Sequence, residues 1–343
     1  MKLSKKNYYN IASVIPTRLL KRSLFGSTLL PYHHLVSNED VLHVKHLYSY
    51  KNVSQFKSDL EYLLKHFRPV AVSEIADTLC TGKKIPGNSF LLSFDDGYSE
   101  VYNIIAPILY DKGVPAVFFI NPAFLDNNKL FYRCKISLII EKLFVNKNEN
   151  HLLNDCLEVF GNIPFESLEK LIALVRTLTN QNESLLDKLA MKLDLSFDEY
   201  LREQTPFLSS NQVRELAQKG FSIGAHSWDH PYYSLISPEE QQKQTIDSCL
   251  YIKEKFSPPL NLFSFPHSDK QITQTFFDRM GLSGTSVDIF FGTQNQKLEL
   301  YNKVLHRFNA ERPDFPINKQ LNGVLLLMFL QRFLKLNKVI RKL

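Results

Sequence analysis

The sequence predicts an α/β fold, a (β/α) barrel short of eight strands with a helical insertion. Three observations predict it. Short apolar runs alternate with stretches of helical period, the order expected of a parallel sheet with helices outside. That alternation stops over residues 122–208, where only helical patterns appear. Two groups of metal-binding residue types, Asp95-Asp96 and His226 with His230, each close an apolar run, the place where such barrels carry their chemistry.

In order, residues 1–27 are basic and read as helical or irregular. Ser27 to Val36 reads as a first strand that delivers His33 and His34 to its end. Ser37 to Tyr50 is a polar loop containing His43 and His46. Phe56, Leu60, Leu63, Leu64 and Phe67 recur at helical spacing behind a capping Ser54. Arg68 to Val72 is a short strand, and Ser73 to Cys80 a helix stopped near Gly82. Phe90 to Phe94 is the central strand, Tyr98 to Lys112 a helix, and Pro115 to Ile120 a buried strand. The insertion carries helical patterns over Ile136–Phe144, Leu152–Phe160, Leu168–Leu178 and Leu185–Leu193. It starts at the C-terminal end of a strand, which predicts a wall or lid at the rim.

After it, Ser209 to Asn211 caps a helix through Lys219, Phe221 to Ala225 is a strand, and Pro238 opens a helix to about Phe256. Leu260 to His267 is a strand with a turn, Gln274 to Met280 a helix, and Leu282 to Val287 and Lys303 to Phe308 the last strands. The barrel is thus expected over 28–121 and 209–310.

At 343 residues and 44% hydrophobic content the chain can bury a sizeable core, as one large domain with an insertion or as two domains. Charged residues at 22% argue against global disorder. The net charge of +6 equals the six basic residues of the acid-free stretch from Phe315 to Leu343, so a general nucleic-acid surface is not indicated. In that stretch Leu326, Phe329, Leu330, Phe333, Leu336, Ile340 and Leu343 fall on one helical face, with Arg332, Lys335, Lys338 and Lys342 mostly opposite. A basic amphipathic helix over 315–343 lies on an anionic membrane or packs on the barrel with its basic side solvated. Cys80, Cys134, Cys156 and Cys249 form no C-x-x-C pair and read as reduced structural thiols. The apolar run Ile11 to Pro16 is interrupted by Ser13, shorter than the about 7–15 residues of a secretory core. No cleavable signal is read, which makes a cytoplasmic location, at or near a membrane surface, the expectation.

Asp95-Asp96-Gly97 alone reads as a turn. Together with His226 and His230 on a second strand end, it offers imidazole and carboxylate ligands for an open divalent-metal site. Other chemistries fit poorly. A zincin needs Glu after its first histidine, on a helix; here Ser227 follows His226 and Pro231 follows His230. There is no P-loop, no G-x-G-x-x-G and no G-x-S-x-G elbow.

Ser93-Phe94-Asp95-Asp96-Gly97 resembles the first motif of the polysaccharide deacetylases, carbohydrate esterase family four. His226-Ser227-x-x-His230 resembles their second motif, and Tyr32-His33 a recurrent feature of the opening strand. The resemblance implies a distorted (β/α)7-type barrel and a metal-dependent N-deacetylase acting on a glycan or amino-sugar substrate. It implies Asp95 as general base, Asp96, His226 and His230 as ligands of one divalent metal with zinc favoured, and His33, His267 and Trp228 as substrate contacts. Backbone amides near Pro266-His267 are then in place to stabilise an oxyanion. The third family motif, R-x-P-[YF], reads Ser264-Phe265-Pro266-His267, so the arginine that orients the base is missing from it. The last motif, L-x-H, is best matched by Val304-Leu305-His306, which makes His306 the expected general acid with His267 as runner-up. Hydrolysis of another non-peptide C–N bond, or glycan binding without catalysis, are the competing expectations.

Overall fold

A computed structural model describes residues 5–24, 27–83, 88–161, 166–282 and 287–342. The chain forms two compact units, Met1–Asn38 with Tyr50–Pro122 and Ser209–Leu343, and Glu39–Ser49 with Ala123–Leu208.

The first unit holds strands β1 (Pro31–His33), β2 (Arg68–Pro69), β3 (Ser89–Phe90), β4 (Leu92–Phe94), β5 (Ala116–Ile120), β6 (Ser222–Ala225), β7 (Leu262–Ser264), β8 (Ile289–Gly292), β9 (Val304–His306) and β10 (Phe308–Asn309). Among the described residues β2 and β3 form a two-stranded sheet, with Phe90 of β3 bridged to Leu29 ahead of β1, and the other eight strands form one parallel sheet in the order β10-β1-β4-β5-β6-β7-β8-β9. β9 and β10 are one stretch of chain that changes partner at Arg307. The Arg307 amide donates to Gly292 on β8, and the Phe308 amide donates to Leu30 beside β1. The two sheet ends therefore meet, and seven chain segments close a distorted (β/α) barrel.

The interior is apolar because these strands are covered on both faces. Phe119 on β5 and Phe291 on β8 are not sheet neighbours, yet their rings lie 5.2 Å apart, so they meet across the barrel. Leu30, Val117, Leu262 and Ile289 join them, with Leu305 packed against the cluster. Alternation along a strand then aims Leu305 and Arg307 inward and Val304 and His306 outward.

Helix starts follow local chemistry. Asn52, not Ser54, caps Val53–His66, with Gln55 answering in a capping box. Ser209 and Ser237 cap Ser210–Gln218 and Pro238–Phe256. The segment after Tyr98 begins with a π-turn, Val101–Ile105, before the helix Ala106–Asp111.

Several expectations are corrected. Of the strand expected over 282–287, Leu282 instead ends the helix Gln274–Leu282 and residues 283–286 lie outside the described residues; the next described strand is Ile289–Gly292. Residues 315–343 are not one amphipathic helix. The helix Ile317–Phe333 has apolar residues all round, and the chain beyond it is irregular, with a β-bridge from Lys338 to Leu298. No described helix is long and apolar enough to cross a membrane.

The second unit is helical: Leu42–Lys45, Tyr132–Val145, Asn150–Glu158, Leu168–Thr177, Glu183–Lys192 and Phe197–Gln204. Its core includes Ile139, Leu143, Leu153, Leu171 and Leu189. Residues 39–49, read from the sequence as a loop, belong here: His46 bonds Glu141 at 2.5 Å and His43 bonds Tyr200 at 2.9 Å.

Candidate active site

Asp95 and Asp96 follow β4, His226 follows β6, and Arg307 separates β9 from β10. Parallel strands bring these positions together although they are far apart in sequence. Asp96 sits at φ +70°, Ser227 at +64° and His230 at +61°. These are left-handed backbones that non-glycine residues hold only where surrounding contacts impose them. The contacts are visible. Asn121, at the end of β5, donates its amide to the carbonyls of His226 and Ser227, and Ser227 Oγ accepts from the His230 amide at 3.1 Å. Gln244 accepts from the amides of Trp228 and Asp229 and donates to the Asp229 carboxylate.

Three ligand atoms, one each from Asp96, His226 and His230, lie within 4.8 Å of one another, and all three side chains are buried. Asp96 Oδ1 is 3.2 Å from His230 Nε2 and 3.4 Å from His226 Nε2. His226 Nδ1 donates to the Ser264 carbonyl at 2.8 Å, which leaves the Nε2 lone pair facing Asp96. Asp96 Oδ1 makes no well-formed hydrogen bond despite its burial. A divalent cation would satisfy this donor set: two imidazoles and one carboxylate with positions left for other ligands. Burial pushes the Asp96 carboxyl up, but the neighbouring His230 and His226 outweigh it and hold it well below the usual carboxylate range.

Asp95 is gripped by Arg307, with Nη1 to Oδ1 at 2.7 Å and Nη2 to Oδ2 at 2.8 Å. Arg307 is fully buried, also bonds Ser93 and Ser264, and lies 4.6 Å over the Tyr32 ring. Burial raises the Asp95 pKa, yet the Arg307 charge prevails and the carboxyl titrates below its usual value. The orienting arginine missing from the third motif is therefore supplied by the strand across the sheet closure. Linear motif matching passed over it because it directly follows the residue chosen as general acid.

His33 and His34 part company. His33 points away, packed on Phe56 and stacked on Phe94, and burial holds its imidazole well below the usual value. His34 pairs through Nδ1 with Glu311 Oε2 at 2.6 Å, while Glu311 Oε1 accepts the His34 and Leu35 amides. Burial pushes the His34 imidazole down, but Glu311, with Asp96 and Asp95 behind it, carries it up to about 9.

His306 faces outward, as the strand alternation requires. It is enclosed by Glu299 at 3.3 Å and Asp269 at 3.6 Å, both clamped by Arg341. Gly292 makes the room, since a Cβ there would clash with His306 Nδ1 and fall 2.7 Å from His306 Cε1 and 2.8 Å from the Asp269 carboxyl carbon. His306 thus faces Asp269 and Glu299 rather than Asp95 and Asp96. His267 does reach the site, with its ring 4.4 Å from that of His230 and stacked at 3.6 Å on Tyr232. Trp228 instead meets Tyr251 on the helix Pro238–Phe256. Sequence reasoning placed His34 at a strand end without giving it a role, and missed Arg307, Glu311, Asn121 and Tyr232.

Comparison with known proteins follows the same lines. A family model described as polysaccharide deacetylase matches residues 82–281. YxkH of Bacillus subtilis (strain 168), whose name assigns it to the polysaccharide deacetylases, is 32% identical over 59 residues, 17% of this chain and 21% of YxkH. The matched stretch thus spans about a fifth of that relative. Among solved structures, the Streptococcus pyogenes deacetylase PplD in complex with acetate aligns with TM-score 0.55 at 13% identity, over 87% of this chain and 97% of that one. IcaB from Ammonifex degensii gives 0.52 at 16%, over 86% and 97%. A de-N-acetylase from Aggregatibacter actinomycetemcomitans gives 0.51 at 16%, over 86% and 99%. At these identities the structures show a shared fold. With the family model covering more than half its length and the two aspartates and two histidines in place, the chain belongs to the polysaccharide deacetylase family.

Proposed function

We propose that this protein is a metal-dependent deacetylase that removes N-acetyl groups from an amino-sugar-containing glycan. The observation that carries the reading is the convergence of Asp96, His226 and His230 beside an Asp95 locked by Arg307. Asp96, His226 and His230 would hold one divalent ion, with zinc favoured by two imidazoles and a carboxylate. When bound, such an ion acidifies water and polarises the amide carbonyl.

The remaining work belongs to the chain. Asp95 is ionised at neutral pH, and the Arg307 contacts leave lone pairs on both its oxygens, so it takes the proton of the attacking water. His34, kept protonated by Glu311, gives a proton to the departing amine nitrogen. This assignment replaces His306 as general acid. Tyr232 and His267 form a stacked aromatic pair next to His230, a surface that suits the apolar face of a sugar ring. Against the reading without catalysis, in which the acid is lost, the His34–Glu311 pair offers a proton donor.

The test is acetate release from N-acetylglucosamine oligomers by purified, zinc-loaded protein. Stoichiometric release that stops after chelation and returns with zinc supports the proposal. Turnover of other C–N substrates with no acetate from amino sugars would overturn it.

A further inference from the structure

The two ends of the chain share a composition that the rest lacks. Residues 1–38 contain no Asp or Glu and include Lys2, Lys5, Lys6, Arg18, Lys21 and Arg22; residues 315–343 likewise contain six basic residues and no acid. These segments hold 12 of the 41 Lys and Arg and none of the 35 Asp and Glu, so the residues between them are net acidic.

The fold brings the two segments together. The helix Lys5–Val14 packs on the helix Ile317–Phe333: the Tyr8 hydroxyl donates to the Gly323 carbonyl at 2.6 Å. Thr17 bonds the Asn322 side chain at 2.7 Å, and Asn322 donates to the Ile15 carbonyl at 2.9 Å. The C-terminal helix is buried from Gln320 to Leu325 and then emerges, apolar, with Phe329 and Phe333 exposed. Phe333 is 78% exposed, Val14 on the partner helix 82%, and Ile340 92%. Ile340 does not sit on a frayed tail. Its neighbour Arg341 is buried against Asp269 and Glu299, and Val339 is hydrogen-bonded to Leu298. Arg18, Arg22, Lys335, Lys338 and Lys342, on the same two segments, are also exposed.

We propose that this terminal surface docks the protein on an anionic lipid bilayer. Ordered, exposed aromatic and aliphatic side chains beside basic residues, on a segment cleared of acids, match a negatively charged interface. A second copy of this chain would present the same positive charge to itself, so self-association is disfavoured by charge. Since no described helix can span a bilayer, the contact is peripheral.

The test is co-sedimentation of full-length protein with vesicles of phosphatidylglycerol and phosphatidylcholine, against phosphatidylcholine alone. Binding at least tenfold stronger to the anionic vesicles, weakened by added salt, is expected. It should be lost in F329E/F333E and reduced several-fold in K335E/K338E, with circular dichroism melts checking that both variants fold. Absent or equal binding to the two vesicle types would overturn the proposal, as would undiminished binding by the Phe variant. Light scattering that shows a dimer broken by F329E/F333E, without vesicle binding, would assign the surface to self-association instead.

Discussion

At the residue scale, the site turns on which side chains share an environment. Asp95 and Asp96 are adjacent, but one meets a guanidinium and the other two imidazoles. That their surroundings differ was legible because adjacent residues leave a strand end in different directions. Arg307 was not legible, because its place opposite Asp95 is created by closure of the barrel. His34 was hidden beside His33 because a three-residue strand shows no periodicity. Arg307→Gln should free the Asp95 pKa to climb under burial, moving the acid limb of the pH–rate profile upward while metal content is unchanged. The displaced carboxylate should lower turnover on the order of 10². Glu311→Gln removes the charge that raises His34. His34 must keep its proton to act, so activity falls as pH rises through its pKa, at about 9 or lower once a cation is nearby. In the variant that alkaline limb should move to lower pH, a shift that a general loss of stability would not produce.

At the scale of elements, helix boundaries were readable from caps and periodicity, and strands mostly from apolar runs. The failures have physical reasons. Ile289–Gly292 was missed because a four-residue buried run has no amphipathic signature. The C-terminal helix was misjudged because facial patterning does not report where packing against Lys5–Val14 ends. Gly292→Ala forces a methyl group against His306 and Asp269, and overpacking of this kind costs about 1–3 kcal/mol. Urea unfolding should show that loss. Arg341→Ala leaves Asp269 and Glu299 buried without their cation, for which about 3–5 kcal/mol is typical; the same measurement should rank it as the more damaging of the two.

For the whole molecule, the barrel was legible from alternation, and the insertion from its interruption. The partner change at Arg307, which closes the ring, is a long-range event with no local signature. Global stability should depend on acid in a defined direction. Asp95, Asp96, Asp269 and Glu299 all titrate below their usual values in the fold. The stability they contribute is complete above their unfolded pKa values, about 3.9 for Asp and 4.3 for Glu, and is lost as pH falls through the folded ones. Melting temperature should therefore hold from neutrality to about pH 5 and drop steeply below pH 4.

The central claim is that Asp96, His226 and His230 bind the metal while Asp95 acts only as base. Metal stoichiometry and acetate release, measured together on Asp95→Asn and His230→Ala, test it most directly. His230→Ala should lose bound metal and activity in parallel. Asp95→Asn should keep close to one ion per chain while turnover falls by about 10²–10⁴, the scale of general base catalysis. Loss of the metal in Asp95→Asn, or full activity in His230→Ala, would contradict it.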